Sequence, residues 1–191
     1  MKKTILFAIL SVSSFCVRAQ NSFAQEQNII EIKQLSEESY VNLLKTAPKN
    51  GWVYVKTDQG NVLINLSNDD YTARFNLNCA NGNPPSFMIE YSDTYADGDY
   101  GGIDFTSSES DDHVALNFEI NGKTYKNPFA PSEAKDFNVF KADLMKAETF
   151  TLVCYQLEYN SETDQDEIKF NRRIEFKNAY SNLLNEPVRC D

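Results

Sequence analysis

The sequence predicts a mainly β fold, an antiparallel β-sandwich or strongly curved sheet with helices at its periphery. Three observations predict it. Short runs in which apolar and polar residues alternate recur between residues 52 and 176, the period of a half-buried strand. Clusters of Asn, Asp, Gly and Pro separate these runs, and each cluster carries turn chemistry. Helical spacing appears only in isolated places, outside the strand–helix–strand rhythm that a parallel sheet requires.

The first structured element is expected to be a helix over residues 36–47. Ser36 is placed to cap it, Glu37 and Glu38 sit in the first turn where the helix dipole favours acids, and Tyr40, Leu43 and Leu44 form one stripe before Pro48 and Gly51 end it. Strands are then expected over residues 52–56, 62–66, 71–79, 87–91, 103–106, 113–120, 124–125, 150–159 and 168–176. The run 150–159 is apolar on both faces, which marks a central strand. Asn121-Gly122 stands between two of these runs and reads as a two-residue hairpin turn, because Asn-Gly supplies the two positive φ angles of a type I′ turn. A helix over residues 132–147 interrupts the strands, and a short one over 179–184 closes the chain. The acidic stretch 161–167 reads as a solvated hairpin tip.

In residues 168–176, Arg172 shares parity with Ile168, Phe170, Ile174 and Phe176. A regular strand would turn it inward, toward a buried carboxylate. A bulge at Arg172-Arg173 is the commoner solution.

The first residues read as a secretory signal. Lys2 and Lys3 precede an apolar stretch from Ile5 to Val17, too short to span a bilayer and in the charge order of an export signal. Cleavage is expected after Ala24 in preference to Ala19. Residues 25–191 then form a single β-rich domain, large enough to bury roughly 70% of its unfolded surface. Phe15 before Cys16 does not fit a lipid-attachment site. The expected location is periplasmic or secreted, with no transmembrane anchor.

The full chain has 18 Lys+Arg against 28 Asp+Glu, a formal charge of -10; the charged residues of the expected leader, Lys2, Lys3 and Arg18, are all basic, so its removal leaves a still more acidic product. That balance excludes nucleic acid as an expected partner. It points instead to a basic protein.

Removing Cys16 leaves Cys79, Cys154 and Cys190 in an oxidising compartment, where one disulfide and one free thiol are expected. Cys79 shares the apolar parity of Tyr71, Ala73, Phe75 and Leu77. Cys154 shares that of Phe150 and Leu152, as a small buried hydrophobe would. Cys190 lies one residue from the end, where a fraying terminus gains most from a tie. The preferred pairing is Cys79 with Cys190, with Cys154 to Cys190 as the alternative.

Catalytic motifs are lacking. The chain has no Gly-x-Ser-x-Gly, no His-Glu-x-x-His, no Cys-x-x-Cys and no phosphate-binding glycine loop followed by Lys. Its one histidine, His113, sits on the polar parity at the start of a strand, and no acid pair stands out by spacing.

The most distinctive segment is Glu90 to Phe105. Its Tyr, Ser, Asp and Gly content is that of an adaptable recognition loop. Tyr91, Tyr95, Asp97, Asp99 and Tyr100 are therefore the candidate partner-binding residues, the acids steering a basic partner. A solvated connection between strands is the plainer reading. A third places Asp93, Asp97, Asp99 and Asp104 as calcium ligands, since they fall on positions of a calcium loop with Gly98 at the sharp turn. Tyr95 stands where that pattern wants an oxygen donor, and Asp104 where it wants Glu. Calcium is thus the one cofactor considered.

The strand Arg74 to Cys79, the strand Phe87 to Tyr91 after a Gly/Pro turn, and the terminal Phe176, Leu183, Leu184 and Cys190 resemble small secreted proteins associated with type VI secretion, the VasI-like group. The resemblance implies a periplasmic accessory or protective protein and supports the Cys79–Cys190 pairing. The functional expectation is an exported protein-binding module, an inhibitor or immunity-type protein acting on a basic envelope-acting enzyme or toxin. A carbohydrate or small-ligand binding module is the alternative, and a hydrolase the last choice.

Overall fold

The computed structural model describes residues 28–34, 36–91, 105–106 and 114–190. The expected leader, His113 and most of the Tyr/Asp/Gly segment lie outside them. Among the described residues, ten strands form two sheets. The first has six strands in order β1-β2-β3-β4-β5-β6, and the second four in order β10-β9-β7-β8. The fold is mainly β with peripheral helices, as its alternating runs predict.

In the first sheet, β1 (Ile29–Glu31), β2 (Trp52–Lys56), β3 (Val62–Asn65), β4 (Tyr71–Asn76), β5 (Ser86–Tyr91) and β6 (Phe105–Thr106) follow one another in sequence and in space. All neighbours are antiparallel except β1, which runs parallel to β2. The second sheet contains β7 (Val114–Ile120), β8 (Lys123–Lys126), β9 (Thr149–Asn160) and β10 (Gln165–Lys177). Here β9 is central, as its two apolar faces require. Asn121 and Gly122 join β7 to β8 with φ of 50° and 78°, the two positive values expected of Asn-Gly.

The sheets bury a shared aromatic core. Phe75 has Trp52, Phe87, Phe118, Phe129 and Phe150 around it at centroid distances of 5.0 to 6.0 Å. The ring of Phe150 stacks between Trp52 and Phe176. A second apolar layer lies on the other face of the first sheet. There α1 (Glu37–Thr46) sets Leu43 against Val53, Val55, Val62 and Ile64. Ser36 caps this helix, its hydroxyl accepting from the Ser39 N–H at 3.3 Å. The expected second helix divides into a 3-10 turn, Pro131–Asp136, and α2, Phe137–Leu144, which buries Phe140 and Leu144. The expected closing helix is likewise a 3-10 turn, Ser181–Asn185.

The last residues strap the sandwich together. Cys79 is disulfide-bonded to Cys190, and Cys154 is free and buried. The Val188 N–H donates to Asn78 at 2.9 Å, and the Arg189 N–H to Asn61 at 3.0 Å. Buried Asn178 accepts from the Trp52 indole at 2.6 Å and donates to the Leu144 and Ala147 carbonyls. One side chain thus ties both sheets to the end of α2.

Candidate functional site

Among the described residues, β9 and β10 are the longest strands, and their outer ends continue past Val114, where β7 begins. Along β9, the even-numbered residues Phe150, Leu152 and Cys154 are buried between the sheets. The next three at that parity are Gln156, Glu158 and Asn160. The inward face of the hairpin therefore turns polar where the core ends. β7 begins at Val114, paired with Gln156. Beyond that pair, among the described residues, β9 and β10 run on as a two-stranded ribbon.

The opposite face of the ribbon is apolar. Tyr155 and Tyr159 on β9 share it with Ile168 and Phe170 on β10, through the registers Phe170 to Tyr155 and Ile168 to Leu157. Tyr159, Ile168 and Phe170 are 64%, 65% and 58% exposed, the largest exposures among the big apolar side chains described. Tyr155 and Phe170 meet edge to face, with centroids 6.4 Å apart. Hydrophobic residues that meet water one by one are ordinary, but a contiguous strip on one face is a sign of binding.

A bulge creates this strip. The register of β10 shifts between Phe170 and Arg172, leaving Asn171 extra. Ile174 and Phe176 face the core, whereas Phe170 and Ile168 are thrown to the outside. The sequence placed the bulge at Arg172-Arg173, one residue beyond its position in the structure. At Asn171 it re-aims the two hydrophobes. Arg172 remains on the inward parity, and its partner is not a carboxylate. Its guanidinium donates to the Tyr71 hydroxyl and lies 6.0 Å from the Tyr71 ring centroid, joining the ribbon's root to the first sheet.

Acids border the strip. Residues 155–170 contain Glu158, Glu162, Asp164, Asp166 and Glu167 against a single base, Lys169. Lys169 is engaged with Glu158 at 2.9 Å. That bond, more than the Gln156 amide, holds the Glu158 carboxyl below its ordinary pKa, and the same contact raises Lys169. The Tyr159 hydroxyl donates to Asp164 at 2.5 Å, which raises the phenol's pKa. Arg173 forms a two-pronged pair with Glu119 on β7, at 3.1 and 2.5 Å, and its hydrogen bond lowers the Glu119 pKa. The bases in and near the ribbon are thus committed to internal pairs, while its exposed tip stays acidic.

Of the residues singled out in the sequence, Tyr91 ends β5 in register with Tyr71. Tyr95, Asp97, Asp99, Tyr100, Asp93 and Asp104 lie outside the described residues. Sequence reasoning missed the ribbon's apolar face. The signal for it was the change from Cys154 to Gln156, Glu158 and Asn160. No helix among the described residues is long and apolar enough to cross a membrane.

Residues 50–178 match the YfjT family model, and the chain belongs to that family. No curated protein and no solved structure matches it. The matched span runs from the residue before Gly51 to Asn178, so it includes the whole ribbon and both residues of the Trp52–Asn178 hydrogen bond.

Proposed function

We propose that this YfjT-family chain is an exported protein-binding module that docks on a basic protein through the apolar face and acidic border of the β9–β10 ribbon, acting as an inhibitor or immunity-type protein. The observation that carries the reading is the exposure of Tyr159, Ile168 and Phe170 side by side on a ribbon whose inward face is polar. Such a strip supplies the desolvated centre of an interface, and the surrounding carboxylates supply its charged rim. Acids at that rim raise the encounter rate with a basic partner and reject acidic ones. The leader-like N-terminus and the Cys79–Cys190 bond support a periplasmic or secreted location, where disulfides persist.

The test is affinity capture from envelope and neighbouring-cell extracts with the purified protein and an Ile168→Ser/Phe170→Ser variant. Both replaced side chains are exposed, so the melting temperature of the variant should stay within a few degrees of the parent's. A basic protein retained by the parent and lost by the variant supports the reading. A partner retained equally by both, or no partner at all, overturns it.

A further inference from the structure

The open edge of β10 suggests how such a partner is held. β10 is the edge strand of the second sheet, and its two halves differ. At the base the edge is covered: Asn68 Nδ2 donates to the Glu175 carbonyl at 3.1 Å, the Lys177 N–H donates to Ser67 Oγ at 2.8 Å, and Asn65 Nδ2 donates to the Lys177 carbonyl at 2.7 Å. These bonds show that Glu175 and Lys177 turn their main-chain groups away from β9. Main-chain direction alternates along an antiparallel strand, and the bulge shifts the alternation by one residue. In the outer half, Asp166, Ile168 and Phe170 therefore present their N–H and C=O groups to the edge. Among the described residues nothing pairs with them.

Unpaired edges of this kind invite another strand, and native proteins usually blunt them with charge, Pro or a covering loop. This one carries Ile168 and Phe170 on the same face. We propose that the outer half of β10 accepts an extended segment of the partner as an added antiparallel strand, and that this segment alternates apolar and basic residues. This rests on the protein-binding reading above. The alternation follows from the pleat. Side chains of the added strand on the outer face lie beside Ile168 and Phe170 and extend the apolar strip. Those on the other face lie beside Glu167 and Lys169, the latter already paired with Glu158 one strand further in. A second copy paired antiparallel at this edge would set Glu167 against Lys169, but two chains that each carry a formal charge of -10 repel as whole bodies, so a basic segment, matched to the ribbon's excess of acids, is the better occupant. Strand addition of this type draws affinity from main-chain bonds and selectivity from alternate side chains.

The proposal fixes which amides of the segment matter. In an antiparallel pair, the residue opposite Ile168 shares its face and returns both of its main-chain bonds. The apolar residues of the segment must therefore aim their N–H groups at β10, and the basic residues must aim theirs away. The probe is a fluorescently labelled nine-residue peptide alternating Lys with Val and Tyr, measured by anisotropy against the purified protein. Two further versions carry N-methyl groups, one at the apolar positions and one at the lysines.

The expected result is binding by the parent peptide, a loss of roughly tenfold or more with N-methyl groups at the apolar positions, and little change with them at the lysines. Equal binding by all three peptides, abolished by Ile168→Ser/Phe170→Ser, overturns strand addition and leaves the docking reading in place. No binding by the parent peptide also overturns strand addition, while the docking reading is decided separately by the capture experiment.

Discussion

Reducing the Cys79–Cys190 disulfide should remove most of its stabilisation through the unfolded chain and little through the folded one. The bond joins residues 111 apart in sequence, with Cα atoms 5.4 Å apart. Chain-entropy arithmetic for a loop of that length gives about 16 cal/mol/K, or about 4.8 kcal/mol at 25 °C. The folded strap has other ties that survive reduction. Val188 exchanges main-chain bonds with Asn78 and Ala80 at 2.9 and 3.0 Å, and the amides of Asn81 and Asn83 donate to the Cys190 carbonyl at 2.6 and 3.0 Å. The native signal should therefore barely move while the unfolding midpoint falls. The chain has one tryptophan, and Trp52 lies fully buried in the core, so urea unfolding followed by its fluorescence is a direct assay. With a slope of about 2 kcal/mol/M, the midpoint should drop by roughly 2 M on adding dithiothreitol. The slope should also rise, because the released chain exposes more surface. A Cys79→Ala/Cys190→Ala variant should behave like the reduced protein. A midpoint shift below about 0.5 M, or a change in Trp52 emission before any urea is added, would refute the reasoning.

Three further outcomes follow from particular contacts. Asn178→Leu leaves the Trp52 indole and the Leu144 and Ala147 carbonyls without their buried partner, which should lower stability by about 2 to 4 kcal/mol; a melting temperature within 2 or 3 degrees of the parent's would contradict it. The Cys154 thiol is 1% exposed, and burial pushes its pKa up to about 12, so a thiol reagent at pH 8 should label it only in denaturant, and rapid labelling of the native protein would overturn this. Glu119 and Glu158 have their pKa values lowered by Arg173 and Lys169, so their contribution is present above the ordinary value of 4.5 and lost as pH falls through the lower folded value; stability should decline there less steeply in Glu119→Gln/Glu158→Gln, and identical acid profiles would count against it.

Much of the fold was legible because its strands obey a period of two. Phe75, Phe118, Phe150 and Phe176 occupy inward positions that the alternating pattern marks, and Asn121-Gly122 fixes its turn by local chemistry alone. The parts that were not legible depend on distant contacts. β1 has three residues, Ile29–Glu31, too few to show a period, and it forms because β2 offers an edge on the side away from β3. The expected helix over residues 132–147 carries an apolar stripe, but Pro131 and the packing of Phe137 and Phe140 around Phe129 divide it into a 3-10 turn and α2. Tyr180 takes a left-handed φ of 61° so that Leu183 and Leu184 reach the core, a demand that local propensity does not reveal.

The candidate site was hidden by one inserted residue. Read at constant parity, Ile168, Phe170, Ile174 and Phe176 make one apolar face interrupted at Arg172, which marks a bulge nearby but does not say which way Ile168 and Phe170 then point. The information lies in β9, where the inward parity turns from Phe150, Leu152 and Cys154 to Gln156, Glu158 and Asn160. If β10 kept its phase beside that strand, Ile168 and Phe170 would stand among Gln156, Glu158 and Asn160. The bulge at Asn171 avoids that mismatch and gathers the apolar residues of both strands on the outer face. Core packing does not require this, since the core has already ended at Cys154. Polar residues at Ile168 and Phe170 would satisfy the ribbon's backbone equally well and would protect its edge better. Two large exposed hydrophobes kept at the open edge are therefore the strongest structural argument that the ribbon meets another surface.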